Sequence, residues 1–227
     1  MERLIELFEI CEDKRHEYAI SINIELFPPE RGINYYKFYH ERFLQKVKNH
    51  NFGGTTETGE NLDAIVENGL THEEASIIYM YTHHHIYNNL NYLLRYHSHR
   101  LDEDILLYKT LLNAALTKLN QVNNSIIYRD IRNPDNGVEN CLEYYEMNIG
   151  NTITFNDFLS CHTDNIRISD INTDYQFVIE TSESSRCMEI QKITLVQNEK
   201  EVLFQSGTNF ITTKVDKENN QVFMKEV

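Results

Sequence analysis

Apolar positions in the first half of the chain recur at three- and four-residue spacing, the period of a helix with one buried face. Between Glu2 and Ile20 they fall at Leu4, Ile5, Leu7, Phe8 and Cys11, and between Asn34 and His50 at Tyr36, Phe38, Phe43 and Val47. Pro28, Pro29 and Gly32 separate these two predicted helices, and Gly53-Gly54 ends the second. The polar stretch from Thr55 to Asn61 reads as a linker or surface loop. Thr71 and Glu74 then have the Thr-x-x-Glu spacing of a capping box, in which each side chain satisfies a backbone N–H of the first turn. A helix is expected from there to about Tyr87, another from Asn88 to about His97, and a third from Asp102 to Leu119. In the third, Ile105, Leu106, Tyr108, Leu111, Leu112, Ala115, Leu116 and Leu119 form a broad apolar face.

From Ser125 the period changes to short β-branched and aromatic runs. Strands are expected at Ser125 to Arg129, Thr152 to Phe155, Gln176 to Thr181, Lys192 to Gln197, Glu201 to Gln205, Asn209 to Val215 and Gln221 to Lys225. Gly150, Ser206-Gly207 and Asn219-Asn220 supply turns between them. Helices first and strands afterwards predict an α+β fold rather than an alternating parallel sheet.

Composition narrows the classes. The chain has 227 residues, 41% of them hydrophobic, enough for one sizeable domain or a domain with a helical extension. A formal net charge of −14 argues against holding nucleic acid by general attraction, which needs clustered Lys and Arg. It also means that a site for an anionic ligand must contain a well-placed Arg. The start of the chain lacks the basic and apolar runs of a secretory signal, and its apolar runs are short for a membrane span, so a soluble protein is expected. Four cysteines, Cys11, Cys141, Cys161 and Cys187, lie far apart without Cys-x-x-Cys spacing. They support neither a zinc ribbon nor a dithiol motif.

The candidate chemistry lies in the last third. In Glu199-Lys200-Glu201-Val202-Leu203-Phe204 two carboxylates stand two apart where a loop enters a strand. Residues two apart in a strand share a face. Such a pair can divide labour, one carboxylate polarising a sugar and the other accepting a proton. Taken alone, these three residues read as an exposed acidic turn before an edge strand, so the motif by itself decides nothing. Upstream stand Ile126-Ile127-Tyr128-Arg129 and then Phe155-Asn156-Asp157-Phe158-Leu159-Ser160, so that an Arg, an aromatic-x-x-aromatic-x-Ser and a Glu-x-Glu occur in order on successive strands.

This order resembles the arginine-serine-glutamate class of mono-ADP-ribosyltransferases, which includes cholera-toxin-like and clostridial toxins. The likeness extends to Asn91-Tyr92-Leu93-Leu94-Arg95 and to the helix around Leu111 to Leu119, and covers about Thr71 to Val227. It implies an NAD cleft formed by two small, mainly antiparallel sheets, preceded by a helical region over residues 1–70. NAD is then the substrate, and its ADP-ribose passes to a side chain of a target protein, arginine being favoured by the presence of Glu199. Glu201 would hydrogen-bond the 2′-hydroxyl of the nicotinamide ribose and stabilise the oxocarbenium-like state, and Glu199 would orient or deprotonate the acceptor. Ser160 would fix Glu201, Arg129 would grip phosphate, and Phe158 would pack near the nicotinamide. Tyr128 and Asp130 flank Arg129 in the same implied cofactor-binding stretch. The N-terminal helices could recognise the target or bind a partner or inhibitor, and action in a cytoplasm, the protein's own or a target cell's, is expected.

Two departures from the family pattern stand out. Ser160-Cys161-His162 replaces the usual Ser-Thr-Ser, and Asp130 replaces the Gly that follows the Arg. They keep open a non-catalytic NAD-binding or interaction module, and a third reading is an NAD glycohydrolase, in which water replaces the acceptor. His83-His84-His85, with His97 and His99, raises the question of a metal, but adjacent helical residues point about 100° apart and cannot converge on one ion. Cys161 and His162, as strand neighbours, face opposite ways and do not form a thiol–base pair.

Overall fold

The computed structural model describes residues 69–82, 84–96, 101, 103–131, 141–165, 174–194 and 200–227, some helical side chains within these ranges excepted. The predicted helices before Thr55, the loop from Thr55 to Asn61, the side chains of His83 to His85, and Glu199 lie outside the described residues. The chain divides into two compact units: residues 1–118 with 192–196, and residues 119–191 with 197–227.

The described part of the first unit is helical. Helix α1 spans His72–Tyr81, α2 His84–Tyr96 and α3 Glu103–Leu116. Thr71 and Glu74 close the capping box reciprocally, the Glu74 amide donating to Thr71 Oγ1 at 3.2 Å and the Thr71 amide to Glu74 Oε2 at 2.8 Å. Lys118 completes the arrangement with an ion pair to Glu74 at 2.7 Å. The first helical break falls at Thr82, five residues before the expected one. Thr82 turns its hydroxyl back onto the Tyr79 carbonyl at 2.7 Å, and its amide serves Ile78 and Tyr79, closing the last turn. In α3 the buried residues are Ile105, Tyr108, Leu112, Ala115 and Leu116. Leu106 and Leu111, expected on that face, are exposed, so the buried stripe is narrower than the apolar one.

Among the described residues, the second unit is a sheet with one short helix. Its strands are β1 Ile126–Ile131, β2 Thr152–Phe155, β3 Leu159–His162, β4 Tyr175–Glu180, β5 Cys187–Glu189, β6 Glu201–Phe204, β7 Thr208–Asp216 and β8 Gln221–Glu226. Helix α4, Leu142–Met147, lies between β1 and β2 in sequence and was not expected. Hydrogen bonding orders the strands β2-β7-β8-β4-β1-β3-β6-β5. All pairings are antiparallel except β4 with β8. The β1–β4 ladder is six pairs long, whereas β1 meets β3 at one pair, Tyr128 with His162. The expected two sheets are therefore a five-stranded and a three-stranded part joined into one hydrogen-bonded order at this single seam.

Alternation assigns the faces. Ile127, Phe177, Ile179, Leu159, Cys161, Val202, Phe204, Val222 and Met224 belong to one buried apolar cluster, which Tyr145 of α4 joins. Edge-to-face contacts run through Tyr145–Phe177, Phe177–Phe155, Phe155–Phe210 and Phe210–Phe204, with ring centroids 5.0 to 6.0 Å apart. Such pairs add to simple area burial. The predicted strand from Lys192 to Gln197 is corrected in its described part: Lys192 to Thr194 form a turn, and the rest lies outside the described residues. Ile193 and Thr194 are both buried there, so consecutive residues break the one-in, one-out rule of a half-buried strand.

Candidate active site

The seam between the two parts of the sheet collects the polar residues singled out in the sequence. On β3 and β6, Ser160 pairs with Leu203 and His162 with Glu201. Glu201 is therefore the diagonal neighbour of Ser160 on one face, close enough for a long side chain to reach back. It does so: Ser160 Oγ donates to Glu201 Oε1 at 2.5 Å. On the other side of β3, Arg129 Nη1 donates to the Ser160 carbonyl oxygen at 2.5 Å. Ser160 thus connects Arg129 and Glu201, its backbone serving one and its hydroxyl the other. All three side chains are half-buried, so they combine reduced screening with access from solvent.

Arg129 has a second donor to offer. Its Nε is buried and has no hydrogen-bond partner among the described residues. A guanidinium presents donors in a planar fork suited to phosphate, and an unspent buried donor is costly unless a ligand meets it. This observation fits an anionic group such as the pyrophosphate of a dinucleotide.

The backbone sets up Glu201 from the N-terminal side. Lys200 adopts a left-handed conformation at φ 46°, which turns the chain sharply just before β6. Its ammonium pairs with Asp164 Oδ2 at 2.8 Å, anchoring this corner to the segment that follows β3. A non-glycine residue there stores on the order of 1–2 kcal/mol. Glu199, the other half of the predicted pair, lies outside the described residues.

Asp130 points to the face opposite Arg129. Gln176 Nε2 donates to Asp130 Oδ1 at 3.0 Å, and Gln221 Nε2 donates to Gln176 Oε1 at 2.9 Å. The register Asp130–Gln176–Gln221 across β1, β4 and β8 makes this a row of side chains on one face. The carboxylate is held in a polar row rather than pushed toward the guanidinium. Tyr128 lies on the same face, its ring 6.1 Å from that of His162. Phe158 is fully buried immediately before β3.

Cys161 and His162 do not cooperate. Cys161 is buried in the apolar cluster, and burial pushes its thiol up to about 12, with Arg129 opposing and Glu201 reinforcing the shift. His162 is buried on the other face, and burial holds its imidazole below the ordinary value, although Asp130 and Asp164 pull it up. Proximity in sequence made His162 look like a thiol's neighbour. Its register opposite Glu201 is what sequence reasoning missed, because the pairing of one strand with another leaves no mark in the pattern of either. No group of three or more His, Cys, Asp or Glu that could hold a metal ion occurs among the described residues.

A family model described as ADP-ribosyltransferase exoenzyme matches residues 50–226 of the chain. No curated protein sequence matches it. Among solved structures, Plx2a, an ADP-ribosyltransferase toxin from Paenibacillus larvae, superposes with a TM-score of 0.59 at 14% identity, covering 82% of this chain and 96% of that one. The ADP-ribosyltransferase HopU1 of Pseudomonas syringae gives a TM-score of 0.59 at 14% identity, over 82% of this chain and 97% of that one. C3stau2 from S. aureus, solved with NAD, gives 0.54 at 14% identity, over 81% and 94%. These likenesses concern the fold.

Proposed function

The chain belongs to the ADP-ribosyltransferase exoenzyme family, and on that premise we propose that it cleaves NAD and transfers the ADP-ribose to an arginine side chain of a target protein. The observation that carries this reading is the Arg129–Ser160–Glu201 connection, which gathers a phosphate-seeking cation and an oriented carboxylate around one serine.

The roles follow from charge. As the bond between nicotinamide nitrogen and ribose carbon breaks, the electron pair leaves with nicotinamide and positive charge grows on the ribose. Glu201, fixed by Ser160, holds a ribose hydroxyl and becomes a stronger partner as that charge develops. Arg129 holds the pyrophosphate through its remaining donors, which positions the sugar before reaction. The acceptor nitrogen attacks the ribose carbon as nicotinamide departs and gives up a proton, for which Glu199 is the base. Tyr128 and the buried Phe158 form the apolar surroundings of the nicotinamide end. Asp130 borders the site as a hydrogen-bonded carboxylate.

The work is done in a cytoplasm, the protein's own or that of a cell into which it is delivered. No helix among the described residues is long and apolar enough to cross a membrane. The test is incubation of the protein with labelled NAD and a cell lysate. Label on a discrete protein band, lost with Glu201→Gln and with Glu199→Gln, supports the transferase. Release of nicotinamide without label, surviving Glu199→Gln, replaces it with a glycohydrolase. Binding of NAD without turnover replaces it with a non-catalytic module. Mass spectrometry on the band identifies the modified side chain.

A further inference from the structure

We propose that His162 is a further substrate-binding residue, its Nε2 hydrogen-bonding the second hydroxyl of the same ribose that Glu201 holds; this rests on the NAD reading above. His162 is only 7% exposed, and its Nε2 is buried without a hydrogen-bond partner among the described residues. A native structure rarely leaves a buried ring nitrogen idle, and one left so beside a candidate site calls for a partner that the protein does not itself contribute. His162 is the direct cross-strand partner of Glu201 on β6 and of Tyr128 on β1. Direct partners in an antiparallel pair have their Cβ atoms about 4.5–5.5 Å apart on one face. Two polar groups at that spacing address one small molecule, and the adjacent hydroxyls of a ribose present two polar atoms side by side.

The surroundings keep the imidazole in the form this contact requires. Burial lowers its proton affinity, Arg129 on β1 adds to that effect, and Asp130 and Asp164 oppose it. Lys200 partly spends the Asp164 charge, and Glu201 on β6 is engaged by Ser160. A neutral ring has one nitrogen that donates and one that accepts, and either suits a hydroxyl, which does both. Tyr128, with its ring 6.1 Å away and tilted by 32°, backs the imidazole from the β1 side.

The test compares binding of NAD and of its analogue lacking the 3′-hydroxyl on the nicotinamide ribose. Wild type, His162→Phe and His162→Gln are measured by calorimetry. Phe keeps a ring of similar bulk and removes the nitrogens, whereas Gln keeps a polar head. The expected result is a three- to tenfold weaker affinity of His162→Phe for NAD, partial recovery with Gln, and equal affinity of wild type and His162→Phe for the deoxy analogue. The range is that of one neutral hydrogen bond. Equal affinity of all three proteins for NAD overturns the proposal, and so does the same loss for NAD and for the analogue, which marks a structural role. If His162→Phe fails to fold, the comparison of wild type with Gln on the two ligands decides by the same criterion. A wild type that neither binds nor cleaves NAD overturns the NAD reading and this one with it, whereas wild-type binding with no analogue effect overturns this one alone.

Discussion

Ser160→Ala isolates the link on which the site depends. The substitution removes one oxygen, the donor to Glu201 at 2.5 Å, and leaves the Ser160 carbonyl in place for Arg129. The side proposed to bind phosphate is thereby spared. A hydrogen bond to a charged group contributes about 1.5–3 kcal/mol. At 1.36 kcal/mol per factor of ten, and with the bond acting on the orientation of Glu201, kcat falls about 10- to 150-fold while the affinity for NAD changes little. The assay is single-turnover release of nicotinamide, with NAD affinity measured separately by calorimetry. The decisive control is the double variant. If Ser160 acts through Glu201, then in a Glu201→Gln background the loss of Ser160 costs little more, because the two act as a unit. Wild-type kcat in Ser160→Ala, or losses that multiply independently in the double variant, would refute the reasoning.

Four further outcomes are expected. Arg186 donates from Nε to Gln205 Oε1 at 3.1 Å, from Nη1 to the Gly207 carbonyl at 2.9 Å and from Nη2 to the Ser206 carbonyl at 3.0 Å, so Arg186→Ala lowers unfolding free energy by about 2–4 kcal/mol in urea titration, a cost reflecting orphaned acceptors. Lys200→Gly relieves the left-handed strain and gives up an exposed ion pair, so stability is unchanged or rises by up to about 1 kcal/mol in the same titration. Because burial lowers the proton affinity of folded His162, the unfolded chain takes up a proton that the folded one resists as pH falls through about 6.5. Stability therefore rises with pH across that window, and His162→Gln flattens the rise, as read by denaturation at several pH values. Buried Cys161 and Cys187, both with thiols raised by desolvation, resist iodoacetamide at pH 8 in the folded protein, whereas half-buried Cys141 is alkylated ahead of both, as peptide mass spectrometry resolves.

The sequence carried the fold class because periodicity changes from helical to strand-like at Ser125, and the capping box at Thr71 because its two side chains act locally. β3 received no bounds, although Cys161 and His162 read as strand neighbours, because Leu159–His162 is largely buried on both faces and shows no alternation, and β5 escaped because Cys187–Glu189 has only three residues. The break at Thr82 was hidden by an apolar run that continues through Tyr81, since a side chain's bond to its own helix leaves no periodic trace. The expected Ser160–Glu201 hydrogen bond is present, but the pairing of His162 with Glu201 depends on inter-strand register, which no single-strand pattern encodes.

The meeting of β1 and β3 at Tyr128 and His162 has a mechanical consequence. The five- and three-stranded parts resemble two plates that share one strand-to-strand stitch and, beneath it, the apolar cluster they bury together, with Arg129 on the first plate and Ser160 and Glu201 on the second. The contact from Arg129 to Ser160 is a second thread across the same line. A dinucleotide gripped by Arg129 at its phosphates and by Glu201 at its sugar would sew along that line, adding a tie at the surface to those the core supplies. Filling the site would then stiffen the sheet where it is least laced.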